Sequence, residues 1–234
     1  MKRIPEPETM DGEEQAWAYA EADFEEPHSR VLGYFDRVFD EPPLTGPVLD
    51  IGCGPGDITF RFARAWPEAR FVAVDASAAM LKPALLRRAE APESFGNIDF
   101  REAWFPGPDI PDEDYSAIIS SSFLHHVHDP IAFWQGVYDL ARPGAFVFVV
   151  DLFRPESEQT ARDMVETYVK DEPEVLRHDF YHSLLAAFEP DEVREHLRRT
   201  GLGNLTVETV TDRHLIIYGR KSDGRSEEQE TDPS

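Results

Sequence analysis

A glycine-rich segment that follows a short apolar run is the feature that most constrains the fold of this chain. Residues 48–51 have the apolar character of a buried strand, and glycines follow at positions 52, 54 and 56. From Asp57 onward the sequence can continue as a helix. A strand, a glycine turn and a helix in succession let the backbone approach a nucleotide-like ligand closely. An ordinary tight turn has the same pattern, so the rest of the chain must decide between the two interpretations.

The length and composition favour one well-packed domain. The chain has 234 residues, and its hydrophobic content of 41% suffices for a full core. No apolar run approaches the roughly 18 residues that a membrane-spanning helix needs, and the N-terminus lacks the apolar centre of a signal peptide. A single cysteine, Cys53, excludes an internal disulfide and a multi-cysteine metal site. We therefore expect a cytoplasmic protein with no membrane partner and no metal site.

The charge of the chain is strongly negative. Asp and Glu total 46 against 23 Lys and Arg, which gives a formal net charge of −23. Such a field repels phosphate backbones and anionic lipid, so we expect no nucleic-acid partner. The acidity can reflect good solubility in an acidic proteome, or adaptation to high salt, which screens self-repulsion. Both interpretations stay open at the level of sequence.

The N-terminal region is predicted to begin without structure and to continue as helices. Residues 1–10 have no hydrophobic period, and we expect them to be disordered. Asp11, with a glutamate three positions later, predicts the start of a helix over residues 12–24. Pro27 interrupts this segment, and apolar residues at helical spacing predict a second helix over residues 29–39.

Residues 11–43, which end in a Pro-Pro pair, form the predicted N-terminal helical cap. The simplest interpretation is that this cap only covers the sheet. Tyr19, Phe24 and His28 can alternatively line a binding site, and we include Tyr19 among the candidate cofactor-binding residues.

From residue 46 the chain alternates predicted strands and helices. The strands are predicted at residues 48–51, 71–74, 98–101, 117–121 and 146–151. The helices are predicted at residues 57–66, 78–89 and 130–141. Continuous apolar strands that alternate with helices predict an α/β fold, with a parallel sheet covered on both faces.

The alternation of predicted strands and helices ends after the fifth strand. Residues 154–188 are predicted to be a helical insertion, and a regular helix follows over residues 190–200. Two further strands, at residues 205–210 and 214–219, are joined by a short turn and predict an antiparallel hairpin. Residues 220–234 are polar and acidic, and we expect a disordered tail.

Polar residues gather at the carboxyl ends of the predicted strands, where open α/β sheets bind their ligands. Asp75 lies about 20 residues beyond the glycine turn, where a carboxylate can accept hydrogen bonds from both hydroxyls of a ribose. This pairing favours a nucleoside site. The glycine spacing differs from the dinucleotide fingerprint, and Asp57 at the start of the next helix opposes an anionic diphosphate. A zwitterionic or cationic ligand is therefore favoured.

Four motifs now show that the chain resembles the class I S-adenosylmethionine-dependent methyltransferases. They lie at residues 48–56, 74–80, 123–130 and 140–144. The resemblance covers about residues 30–219, and is closest to small-molecule enzymes with Leu-His-His after the fourth strand. It implies one domain over residues 11–219, a three-layer Rossmann-like sandwich whose seven-stranded, mostly parallel sheet has an antiparallel last strand.

The resemblance also implies a binding site for S-adenosylmethionine. The backbone of the glycine turn would pass the methionine part, Asp50 would support the turn or reach the ammonium group, and Asp75 would hold the ribose. Trp104 stands near the position where relatives commonly have an aspartate for adenine. The residues assigned to the cofactor are Tyr19, Asp50, Gly52, Cys53, Gly54, Asp75, Ala76, Met80, Trp104, Ser121 and Ser122.

Three residues are candidates for chemistry on the acceptor. His125 and His126 follow the fourth strand, where an imidazole can act as a base near neutral pH. Tyr181 lies with His178 and His182 in the helical insertion, which we expect to form a substrate lid. The alternative for each is a structural role in packing. Asp151, at the end of the fifth strand, can also face the substrate.

These expectations describe a cytoplasmic enzyme, a monomer or homodimer, that methylates a small molecule. The alternatives are a non-catalytic regulator that binds S-adenosylmethionine and a nicotinamide-dependent dehydrogenase. The methyl acceptor and its reacting atom do not follow from the sequence.

Overall fold

The computed structural model describes residues 1–22, 25–40 and 44–223, and forms a three-layer α/β sandwich. The strands are β1 (Pro47–Ile51), β2 (Arg70–Asp75), β3 (Ile98–Glu102), β4 (Tyr115–Ser121), β5 (Ala141–Leu152), β6 (Thr206–Thr209) and β7 (His214–Arg220). The helices are α1 (Glu13–Glu21), α2 (Glu25–Phe39), α3 (Asp57–Ala65), α4 (Ala78–Glu90), α5 (Pro92–Phe95), α6 (Pro130–Leu140), α7 (Glu158–Tyr168), α8 (Glu174–Ala186) and α9 (Pro190–Arg199).

The sheet has the predicted topology. Its seven strands lie in the order β3-β2-β1-β4-β5-β7-β6. Strands β1 to β5 pair in parallel, whereas β7 runs antiparallel to both β5 and β6. The strand order reverses between β1 and β4, and this is the switch point at which such sheets bind ligands. The prediction of a mostly parallel sheet with an antiparallel last strand is confirmed.

Alternation along β1 divides the core between the two faces of the sheet. Leu49 and Ile51 point into a cluster that includes Phe133 of α6, whereas Val48 points into a second cluster that includes Phe35 of α2. All of these side chains are fully buried. The strand that carries the glycine turn is therefore fixed from both faces, and the turn projects from a rigid base.

The N-terminal helices differ from prediction at their starts. The residue before α1 is Gly12, and no side chain caps this helix, so the predicted capping box at Asp11 is wrong. Helix α2 begins at Glu25, so Pro27 lies in its first turn instead of interrupting it. A proline fits there because the first backbone N–H groups of a helix have no intrahelical acceptor. Phe24 and the Pro-Pro pair at 42–43 lie outside the described residues.

Residues 1–10, here called the N-terminal strap, were predicted to be disordered, whereas the structure places them in contact with the folded domain. The guanidinium of Arg3 donates hydrogen bonds to the carbonyls of His125 and Val127, at 2.8 and 2.9 Å. It also lies 3.9 Å above the ring of Phe188. The strap forms neither helix nor strand, and its place is set by side-chain hydrogen bonds that no hydrophobic period reveals.

The C-terminal end of the described chain is also more ordered than predicted. Strand β7 extends to Arg220, and the ammonium of Lys221 donates to the carbonyls of Tyr138 and Ala141, both at 2.6 Å. The remainder of the predicted tail, residues 224–234, lies outside the described residues. Within the described chain, every helix is too short or too polar to traverse a lipid bilayer.

Candidate active site

The glycine turn after β1 needs glycine at its bends. Gly52, Gly54 and Gly56 have φ values of +69°, +51° and +82°, in the left-handed region that side chains disfavour. A Cβ on Gly52 would also lie 2.1 Å from the ring of Phe123. The N–H groups of Gly52 and Cys53 both donate to the carbonyl of Val74, at 2.8 and 3.0 Å. The turn is thereby held against the end of β2.

Asp75, at the end of β2, is locked onto this turn. One carboxylate oxygen accepts from the N–H of Gly54 and the other from the N–H of Ser77, each at 2.9 Å. Burial raises the pKa of this carboxyl, and the two backbone donors oppose that shift. Each oxygen of a carboxylate has a second acceptor position, so Asp75 can still accept hydrogen bonds from a ligand.

Asp50 supports the turn from beneath. Its side chain is 2% exposed and accepts a hydrogen bond of 2.5 Å from the hydroxyl of Thr59 on α3. Burial raises the pKa of Asp50 to about 7. The side chain does not line the cavity described below, which favours the predicted supporting role over direct contact with an ammonium group.

A cavity of about 980 Å³ lies above the carboxyl ends of the strands. Its volume is in the range of small-molecule sites. The structure brings most of the predicted site residues to its wall, namely Tyr19, Gly52, Cys53, Gly54, Asp75, Ala76, Met80, Ser121, Ser122, His125 and His126. These residues come from α1, the glycine turn, the start of α4 and the loop after β4.

A second, smaller cavity adjoins the first at Asp75 and Ala76. Its volume is about 90 Å³, and its walls include Trp104 and Phe105 from the loop after β3. Gly52 and His126 border both cavities. Trp104 therefore lies where the sequence placed it, beside the carboxylate expected to hold a ribose.

The first imidazole after β4 is backed by a buried aspartate. His125 is 4% exposed, and its Nδ1 lies 2.6 Å from Oδ1 of Asp151. Asp151 also accepts from the N–H groups of Leu124 and Leu152, so it is an acceptor for Nδ1–H. Burial alone would lower the pKa of His125, but the charges of Asp151 and Glu6 raise it. The interpretation that Asp151 faces the substrate is wrong, because its carboxylate lies behind the imidazole.

The second imidazole has the opposite electrostatic setting. Nδ1 of His126 lies 3.2 Å from the carbonyl oxygen of Pro7 in the strap. Burial and the nearby charge of His125 lower the pKa of His126 to about 3, so it is neutral near pH 7. The two rings lie with centroids 4.3 Å apart. The pair thus offers one imidazole that favours a positive charge and one that does not.

Asp57 does not present the free negative charge that the sequence suggested. Its carboxylate pairs with His28 of α2, Arg61 of α3 and Arg87 of α4, at 2.7, 2.6 and 3.1 Å. Although burial alone would raise the pKa of Asp57, these partners hold it well below its usual value. The carboxylate is therefore neutralised by its neighbours and does not oppose an anionic ligand, contrary to the prediction.

Tyr181 is the one predicted catalytic residue that does not line either cavity. Its hydroxyl accepts from Arg162, at 3.3 Å, on the outer side of the helical insertion. The cavity is instead lined from α8 by Leu176, Phe180 and Ser183. These positions share one helical face, and Tyr181 is rotated by about 100° from Phe180. The group of aromatic side chains around Tyr181 predicted the correct helix, but not which face of that helix lines the cavity.

Two strap residues at this site were missed by sequence reasoning. Glu6 lies within 3.6 Å of both imidazoles, and Glu8 lines both cavities. These are the only two acidic residues of the strap, but the segment has no hydrophobic period and no motif, so no sequence signal distinguished them from solvated surface residues.

The arrangement fits an adenosyl group with a charged amino-acid end. A partly buried carboxylate, that of Asp75, keeps free acceptor positions and lies between an aromatic slot and the glycine turn. Beyond the turn, two imidazoles and two serines form a polar end of the cavity. Burial raises the pKa of the Cys53 thiol well above its ordinary value, which disfavours the reactive thiolate form.

Comparison with known proteins gives an independent view of this site. A family model described as a methyltransferase domain matches residues 48–144. The ubiquinone biosynthesis O-methyltransferase of Ruegeria pomeroyi is 30% identical over 176 residues, which cover 74% of this chain and 67% of that protein. An uncharacterized methyltransferase of Mycobacterium tuberculosis is 32% identical over 124 residues, which span 52% of this chain and 59% of that protein's length.

A solved structure extends the similarity to the whole fold. Phosphoethanolamine N-methyltransferase 2 of Haemonchus contortus, in complex with S-adenosylmethionine, superposes with a TM-score of 0.68 at 14% identity. The alignment covers 91% of this chain and 58% of that one. At this identity the likeness establishes the fold alone.

Proposed function

The chain belongs to the class I S-adenosylmethionine-dependent methyltransferases, and on this basis we propose that it methylates a small-molecule acceptor. The observation that carries the proposal is the position of Asp75. Its carboxylate is bound by the glycine turn, keeps free acceptor positions and borders both cavities. This is the geometry required to hold the two hydroxyls of a ribose.

The residues at the cavity walls support an assignment of how the cofactor would be held. Asp75 would bind the ribose, the slot beside Trp104 and Ala76 would take the adenine, and the backbone of the glycine turn would border the methionine part. When bound, S-adenosylmethionine supplies a methyl group on a sulfonium, which is activated toward a nucleophile. The hydrogen bond from Thr59 to Asp50 joins α3 to the strand that carries the turn.

The polar end of the cavity receives the acceptor. Ser121, Ser122 and the imidazoles of His125 and His126 border that end, and α8 covers it. Holding the acceptor in line with the methyl group would supply most of the rate enhancement that such a transfer needs. The relative from R. pomeroyi is named as an O-methyltransferase, and this supports an oxygen acceptor.

The proposal includes a cytoplasmic setting, a monomer or homodimer and no nucleic-acid partner. The net charge of −23 supports the last point, because it repels a phosphate backbone. The size of the covered cavity supports a small molecule rather than a polymer as the acceptor.

Calorimetric titration of Asp75→Ala with S-adenosylmethionine tests the cofactor site. We expect at least tenfold weaker binding, because each lost hydrogen bond to a charged group contributes about 1.5–3 kcal/mol. Asp75→Asn keeps one acceptor oxygen for the turn, so this variant controls for a loss of binding that local unfolding of the turn would cause. Asp163→Ala, on the surface of α7, is the matched control and should bind like the unmodified protein. Equal affinity in all four proteins, or binding of a nicotinamide dinucleotide in place of S-adenosylmethionine, would refute the assignment.

A further inference from the structure

Three potential metal ligands from distant parts of the chain meet at the polar end of the cavity. Oε1 of Glu6 in the N-terminal strap lies 3.6 Å from Nε2 of His125 and 3.4 Å from Nδ1 of His126. All three ligand atoms lie within 4.8 Å of one another. The side chains of Glu6 and both histidines are almost completely enclosed, at 12%, 4% and 11% exposure.

These distances fit the geometry of a small tetrahedral metal centre. Ligand atoms about 2.0–2.1 Å from a zinc ion stand about 3.4 Å apart when they occupy tetrahedral positions. The carboxylate-to-imidazole separations at Glu6 are close to this value. They are also longer than good hydrogen bonds between nitrogen and oxygen, which leaves room for an ion between the three side chains.

The residues behind the ligands match the outer shell of a metal site. Asp151 accepts from Nδ1–H of His125, which fixes the ring and directs Nε2 toward Glu6. A carboxylate that orients a ligating histidine in this way is the usual outer partner in zinc sites. On the other side, the hydroxyl of Ser183 donates to Oε1 of Glu6, at 3.1 Å.

Hydrogen bonds connect the two backbone segments that carry the three ligands, the strap and the loop after β4. Arg3 joins the strap to the carbonyls of His125 and Val127, and Nε2 of His128 lies 2.7 Å from the carbonyl of Glu6. Such supporting contacts lower the conformational cost of bringing the three ligands to one point.

We propose that Glu6, His125 and His126 form a binding site for a divalent transition-metal ion, with Zn²⁺ as the best match. Two imidazoles and one carboxylate suit zinc, whereas calcium and magnesium favour all-oxygen sites. Nδ1 of His126 gives up its contact with the carbonyl of Pro7 when it binds the ion. Both imidazoles line the cavity, so the fourth coordination position opens toward it.

A fourth coordination position that is open toward the cavity indicates which class of methyl acceptor the ion can bind. On the basis of the proposed function, the ion binds the oxygen of a hydroxyl or carboxylate acceptor and orients it toward the methyl group. Coordination would lower the pKa of a hydroxyl acceptor, whose proton would pass to water in the cavity. The resulting oxygen anion would then take the methyl group as its bond to the sulfonium sulfur breaks, and S-adenosylhomocysteine would leave.

Titration of chelator-treated protein with Zn²⁺, and with Co²⁺ as a visible-light probe, tests the site. We expect one ion per chain and a Co²⁺ spectrum typical of tetrahedral coordination. Glu6→Gln and His126→Ala should each weaken binding at least tenfold. Glu14→Gln, which neutralises an exposed carboxylate of α1 that does not line the cavity, is the matched control and should retain the affinity of the unmodified chain.

The outcomes separate this proposal from the proposed function. Absence of stoichiometric Zn²⁺ binding, or equal binding by Glu6→Gln and the unmodified chain, would overturn the metal site. Calorimetry of the same apo protein with S-adenosylmethionine then reports whether the cofactor site is intact. Cofactor binding without metal binding refutes the metal site alone, whereas metal binding without cofactor binding refutes the methyltransferase assignment alone.

Discussion

Three aspartates at the carboxyl ends of strands perform different tasks because their hydrogen-bond partners differ. Asp75 accepts from two backbone N–H groups and remains available to a ligand. Asp151 is an acceptor for two backbone N–H groups and for His125, whose charge lowers its pKa although burial alone would raise it. Asp50 accepts from the hydroxyl of Thr59, and this hydrogen bond only partly offsets the rise in pKa that burial causes. Residue type and strand position were predictable for all three, but the partners that decide each task were not.

The buried carboxyl of Asp50 makes stability depend on pH. Its pKa rises from an ordinary value near 3.8 to about 7 on folding, so the native state binds the proton more tightly. The stabilisation is complete below about pH 4 and is lost as pH rises through 7. Asp50→Asn cannot titrate, so its stability relative to the unmodified chain should increase between pH 5 and 8, by a few kcal/mol at most. Urea unfolding at several pH values measures this difference, and a difference that stays constant with pH would contradict the assignment.

At the scale of elements, the sequence predicted those whose signal is local. The segment from β1 through α3 to β2 was recognisable because apolar strands flank a glycine turn whose bends need positive φ. The strap was not recognisable, because Arg3 acts on carbonyls of a loop more than 120 residues away in the chain. The face of α8 was missed because aromatic residues occur on both sides of that helix.

Removal of the Arg3 guanidinium tests whether the strap is part of the fold. Arg3→Ala leaves the carbonyls of His125 and Val127 without this donor and removes the contact with Phe188. We expect a loss of about 1–3 kcal/mol in the free energy of unfolding and faster amide hydrogen exchange across residues 1–10. Lys2→Ala, at an exposed neighbouring position, should change neither quantity. Unchanged stability and exchange in Arg3→Ala would show that the strap does not contribute to the fold.

At the scale of the whole molecule, the site is assembled around the switch point between β1 and β4. The cavity draws its walls from the strap, α1, the glycine turn, the loop after β4 and α8. The cofactor half of this site was predictable because its motif lies within about 30 residues of one strand. The acceptor half was not, because the strap and α8 meet there only after the entire chain has folded.

The central claim is that the cavity transfers a methyl group, and the most direct measurement uses S-adenosylmethionine labelled on that methyl. The protein is incubated with a panel of small hydroxyl and carboxyl compounds, and labelled product and S-adenosylhomocysteine are both quantified. We predict equal amounts of the two with at least one acceptor. His126→Ala should reduce turnover more than it weakens cofactor binding. Binding of the cofactor with no labelled product from any acceptor would contradict the claim and indicate a non-catalytic regulator instead.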